Sequence, residues 1–274
     1  MKVLISTDIE GVAGVYHPEQ TRPGNPEFER ARLLMAQEAN AAIAGAFDAG
    51  ATEVLVNDSH GGFRNMPPDV LDARARVVQG KPRYLSMVAG VEEGVDAVCM
   101  VGYHSRAQGR GILAHTINSF AFASISLNGQ ELGEAGLYGA LAGEYGVPVV
   151  MGSGDDVFIA ENRPLFPHAT FVETKKATGF GSGVSLSPEQ SRRAIRAGVQ
   201  EALAGHANAK VKPLVFAGPQ AVSLRCQSPS LADLFCQWPS FERVDGVTLR
   251  FTAQTVEAAV RMLNCCSAMS SMLR

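Results

Sequence analysis

Along the first half of the chain, short runs of branched apolar residues alternate with longer stretches of helical period. Val3-Leu4-Ile5 reads as a buried strand ending at Thr7-Asp8. Asn25-Pro26-Glu27 marks a helix start, with a capping Asn, Pro at the first helical position and an acid in the first turn. The segment that follows puts Ala31, Met35, Ala39, Ala42, Ile43, Ala46 and Phe47 on one face and stops at Gly50. Glu53 to Asn57 is a second strand, and strand–helix–strand is the unit of a parallel sheet. Asp96 to Val101 continues the pattern. Phe122 to Leu127, closed by Asn128-Gly129, reads as one arm of a hairpin, Glu134 to Tyr145 as a helix and Val149-Val150-Met151 as a strand. From Ser187 the character changes: a well-capped helix to Ala204, strands over Val211 to Phe216 and Val247 to Phe251, and a helix from Val256 to Met272. The expected fold is α/β, a mostly parallel central sheet flanked by helices. A boundary near residue 186 divides it into a larger part, 1–186, and a smaller C-terminal α/β region, 187–274.

Composition narrows the function. The chain has 274 residues, 46% hydrophobic and 19% charged, enough to bury a core without disulfides or a structural metal. Net charge is −3 and no basic run exceeds a pair, so nucleic acid is not an expected partner. The five cysteines show no C-x-x-C spacing, which speaks against a thiolate zinc site and for a reducing compartment. No run of 18 apolar residues occurs, and carboxylates fall within the first ten positions. The expectation is a cytoplasmic protein without a membrane partner.

Ligands of parallel sheets bind at the carboxyl ends of strands. Asp8 and Glu10 follow the first strand, Asp58 and His60 the second, and His104 the strand from Val98. Alone, an Asp-x-Glu pair is an ordinary loop feature and a strand-end His an ordinary surface residue. Together they would carry carboxylates and imidazoles to one edge of the sheet. Carboxylates suit divalent metals, and one can bridge two ions. Asp58, Asp155 and Asp156 are candidates to orient such ligands or, equally, turn and capping acids. The Gly-rich run Thr178 to Gly183 lacks the Lys-Ser/Thr of a phosphate loop and reads as a flexible loop.

Four motifs in order carry a resemblance: Asp8-Ile9-Glu10-Gly11-Val12-Ala13-Gly14, Val54 to His60, Gly102-Tyr103-His104 and Gly133-Glu134-Ala135-Gly136-Leu137. With Glu29 to Met35, Glu38-Ala39-Asn40 and Gly152 to Asp156, they resemble the zinc-dependent D-aminopeptidases associated with bacterial dipeptide transport. The resemblance covers about the first 180 residues well and the rest loosely. It implies two zinc ions per subunit, with Asp8 bridging, Glu10 and His104 completing one and His60 and Glu134 the other. It implies that His115 is catalytic and outside the metal shell. The stretch from His115 to Glu134 is one residue longer than the family pattern; the Gly-Glu-x-Gly-Leu context selects Glu134 over Glu131. It also implies short peptides as substrates, D-residues among them, and a ring-like homodecamer in which the C-terminal region mediates assembly. Another binuclear amidohydrolase or phosphoesterase, or a non-catalytic binding protein on the same fold, are the alternatives.

Overall fold

The computed structural model describes all 274 residues. Seven strands form the main sheet: β1 (Lys2–Thr7), β2 (Glu53–Asp58), β3 (Arg76–Val78), β4 (Ala97–Val101), β7 (Val149–Asp155), β8 (Thr170–Gly179) and β9 (Ser182–Ser185). All pairs are parallel except β8–β9, which is a hairpin. Five short strands form a second, antiparallel sheet: β5 (Phe122–Leu127), β6 (Gln130–Glu131), β10 (Gln220–Cys226), β11 (Glu242–Arg243) and β12 (Thr248–Ala253). No helix is long and apolar enough to cross a membrane.

The central strands bury both faces. In β1, Val3 and Ile5 point to one core and Leu4 to the other; in β4, Ala97, Cys99 and Val101 oppose Val98 and Met100. The first core lies under α1 (Pro26–Asp48) and α4 (Pro188–Ala209). The second is filled by α2 (Glu134–Glu144), the second sheet, α5 (Pro229–Phe235) and α6 (Val256–Met269). Every residue of α2 from Glu134 to Gly143 is buried, the pattern of a helix enclosed on all sides. A shorter helix, α3 (Asp156–Asn162), follows β7.

The two sheets do not part at residue 186. β5 and β6 belong to the second sheet, beside β10 from the C-terminal part, while α4 packs with α1 on the first. The expected strand over Val211 to Phe216 is unpaired, and the strand lies at Gln220–Cys226 instead. Thr178 to Gly183, read as a loop, is the β8–β9 hairpin.

Strand order places the site. The main sheet runs β3-β2-β1-β4-β7-β8-β9, so the chain winds outward from β1 to β3 and then crosses back to β4. The β1–β4 boundary is thus the topological switch point, where a crevice opens beyond the strand ends. The two loops leaving it are pressed together: Asp8 N–H donates to Val101 O at 2.8 Å and Gly11 N–H to Gly102 O at 2.7 Å. A Cβ on Gly11 would stand 1.9 Å from the Tyr103 carbonyl oxygen, so only glycine permits this approach. Gly11→Ala is therefore expected to force the Asp8–Glu10 loop outward. Destabilisation of about 1–3 kcal/mol and weaker metal uptake should follow, read by thermal unfolding and metal analysis. Wild-type values for both would show the contact to be dispensable.

Candidate metal centre

Strand register fixes the donors. Thr7, the last residue of β1, pairs with Asp58 on one side and Val101 on the other, so three loops start at the same level. Asp8 follows β1, His60 lies two residues past β2 and His104 three past β4. Glu134 arrives from elsewhere, as the first residue of α2, where the helix N-terminus favours a carboxylate. Its Oε1 also accepts the Ile117 N–H at 2.5 Å.

Asp8 sits between two histidines. Its Oδ1 is 3.2 Å from His60 Nδ1 and its Oδ2 3.3 Å from His104 Nε2. A second acid accompanies each: Glu10 Oε2 is 3.1 Å from His60 Nδ1, and Glu134 Oε2 is 3.4 Å from His104 Nε2. Asp8, Glu10 and His104 also bring donor atoms within 4.8 Å of one another, the grouping that the resemblance implies for one ion. Between His115 and Glu134, β5 and β6 are joined by a turn with Asn128 and Gly129 both at positive φ. Glu131 is on β6, exposed and paired with Arg106, while Glu134 is buried among the histidines.

The second nitrogen of each imidazole is held by a backbone carbonyl. His60 Nε2 donates to Thr21 O at 2.8 Å, His104 Nδ1 to Ser105 O at 2.9 Å and His115 Nδ1 to Leu113 O at 2.8 Å. A carbonyl can only accept, so the proton is fixed on the outer nitrogen and the inner one is free to act as a ligand. His115 stacks on His104, ring centroids 4.1 Å apart, with Nε2 at 3.8 Å from Glu134 Oε1. The His115 side chain is 20% exposed against 1% for His104, so it faces the open side.

Two observations show that a cation fits. Glu10 Oε2 and His104 Nε2 are buried without a hydrogen-bond partner, although each has an oppositely charged group near it in poor alignment. Two overlapping donor groups also lie within 4.8 Å, Asp8–Glu10–His104 and His104–His115–Glu134. Without a cation, protons take its place. Burial opposes charge on Asp8, but the imidazoles of His104 and His60 beside it hold its carboxyl far below the usual range. Burial likewise opposes the charged imidazoles, yet Glu10 and Asp8 raise His60 well above its ordinary value, and Glu134 and Asp8 raise His104. A metal must displace those protons, so its uptake weakens as pH falls.

Supporting residues divide into expected and unforeseen. Asp58 accepts from the backbone of Asn65 at 2.6 Å and of Met66 at 2.8 Å, tying down the loop that carries His60. Asp155 caps α3 and accepts the Ile112 N–H at 2.7 Å. Asp156 accepts the Ala177 N–H at 2.8 Å. Lys175 was not foreseen. Its buried ammonium donates to the carbonyls of Glu10 and Val15 and braces the loop behind Asp8. Burial pushes its pKa down to about 8, against the charges of Asp155, Glu38 and Glu10. Nothing in the pair Lys175-Lys176 distinguishes it, and β8 breaks its alternation there, with Thr174 and Lys175 both buried beside a register shift against β7.

The sequence and the fold have counterparts in known proteins. The D-aminopeptidase of Bacillus subtilis (strain 168) is 33% identical over 264 residues, 96% of this chain and 95% of its own length. The structure of the Zn-dependent D-aminopeptidase DppA from Bacillus subtilis, a self-compartmentalizing protease, superposes with a TM-score of 0.94 at 31% identity. That match covers 99% of this chain and 98% of the other. Residues 1–265 match the D-aminopeptidase family as a whole, loops and both sheets included, and the chain belongs to that family.

Proposed function

We propose that the protein is a binuclear zinc aminopeptidase that removes the N-terminal residue of short peptides containing D-amino acids. The observation that carries this is Asp8, one carboxylate with an oxygen toward each of two histidines, each histidine having its own second acid. Asp8 would be shared, Glu10 and His104 would complete one site, and His60 and Glu134 the other. Zinc bound there supplies Lewis acidity, which polarises a carbonyl and makes water a stronger acid.

The chain's own groups do the rest. Thr21, Ser105 and Leu113 carbonyls hold the three imidazoles in one tautomer each. Lys175 and the Gly11–Gly102 contact keep Asp8 and Glu10 in place. His115, on the open side, delivers a proton to the departing amine through Nε2. The peptide lies in a cavity of about 560 Å³ whose wall includes Asp8, His60, His115 and Glu134. The self-compartmentalizing relative supports assembly of this chain into a closed homo-oligomer, a ring-like decamer to which residues 187–274 contribute contacts.

A panel of D- and L-dipeptides with zinc-loaded protein tests the reading, with metal content and solution mass measured on the same preparation. About two zinc ions per subunit, D-selective cleavage and a mass of ten chains are expected. Cleavage of phosphate esters but of no dipeptide would refute it.

A further inference from the structure

The wall of the same cavity also carries Lys81, Arg83 and Arg274, and the first two stand side by side. Lys81 and Arg83 share one aromatic ring: Lys81 Nζ is 4.4 Å and Arg83 Cζ 4.0 Å from the Phe63 centroid. No carboxylate lies within 4.0 Å of either head group. Arg83 is spent on neutral acceptors, donating to Val78 O at 3.1 Å, Asn57 Oδ1 at 2.7 Å and Asp58 O at 2.5 Å. Its Nε is buried and unpartnered. The nearby Asp58 carboxylate is engaged by Asn65, Met66 and Gln79.

Lys81 is the freer of the two. It stands at the exposed mouth of the cavity, and no protein acceptor receives its Nζ. Burial and the adjoining charge of Arg83 lower its pKa, while Glu134 raises it, so the ammonium feels both signs of charge on the same wall. Two like charges held together without a counter-ion are relieved by an anion. The cavity wall thus carries both signs, Asp8 and Glu134 among its acids and Lys81 and Arg83 among its cations. A short peptide with free termini has the matching pattern, an ammonium at one end and a carboxylate at the other.

We propose that Lys81, with Arg83 beside it, receives the free C-terminal carboxylate of a short peptide whose N-terminal residue lies at Asp8 and Glu134. The proposal rests on the aminopeptidase reading and deepens it. Holding both ends makes the enzyme a reader of peptide length, because a blocked or distant carboxylate forfeits the contact.

The test compares kcat/KM for D-alanyl-D-alanine and D-alanyl-D-alaninamide, which share a scissile bond and differ only in the terminal carboxylate. Zinc-loaded wild type, Lys81→Met and Lys81→Arg are assayed on both. Wild type should favour the acid by about tenfold, mainly through KM, as expected for one charge-assisted hydrogen bond. Lys81→Met, which keeps an apolar stem over Phe63, should bring the ratio near unity, and Lys81→Arg should keep most of it. A ratio unmoved in Lys81→Met, or no preference in wild type, overturns the proposal. Wild type that cleaves neither compound overturns the aminopeptidase reading beneath it.

Discussion

Asp8→Asn is expected to lower kcat/KM by about a thousandfold or more, corresponding to several kcal/mol of lost stabilisation from the metal centre. The substitution keeps the shape of the side chain, so core packing around β1 is undisturbed. What it removes is the charge that faces His60 at 3.2 Å and His104 at 3.3 Å. An amide cannot serve two cations as a carboxylate does, and zinc content should drop from about two per subunit to one or none. The raised pKa values of His60 and His104 depend in part on Asp8, so both histidines should also shed protons at lower pH in the metal-free variant. Metal analysis and histidine NMR titration measure these effects. Retention of two zinc ions would end the bridging role.

His115→Ala should be nearly as costly for turnover and harmless for metal. Loss of a positioned acid–base group lowers kcat by about 10²–10⁴, while Asp8, Glu10, His60, His104 and Glu134 remain. The geometry leaves a real contest here, because His115 Nε2 lies close enough to His104 and Glu134 to be a ligand itself. Its greater exposure and its stacking on His104 put it at the open edge of the cluster. Zinc content decides: unchanged metal with lost turnover assigns chemistry, whereas lost metal makes His115 a ligand.

The sequence made most of this site legible for one physical reason. Asp8, His60 and His104 lie at the ends of strands whose apolar runs are short and sharply bounded, and parallel register brings such ends to one level. Glu134 was harder, since it reaches the site from a helix behind a hairpin and only its glycine-flanked motif marked it. Lys175 was out of reach, because an inward lysine on β8 looks the same in sequence as its outward neighbour Lys176. The tight hairpin at Phe180-Gly181 was hidden by glycines that weaken strand propensity. Val211 to Phe216 carried an apolar pattern but stays unpaired, and Pro213 within it removes a backbone donor. The division at residue 186 followed a change of composition, whereas pairing across the sheets depends on contacts far apart in the chain.

That last pairing ties the cavity to both halves of the chain. Every proposed ligand lies within the first 134 residues, yet β5 pairs with β10, which comes almost a hundred residues later. Asn118, on the cavity wall, is held by Ser267 and Ser270 at the very end of the chain, at 2.9 and 3.0 Å between side-chain atoms. The acids and histidines thus come from one half of the chain, while Asn264, Ser267 and Ser270 of the other half close the wall of the cavity in front of them. Shortening the last helix would open that wall without removing a single proposed ligand.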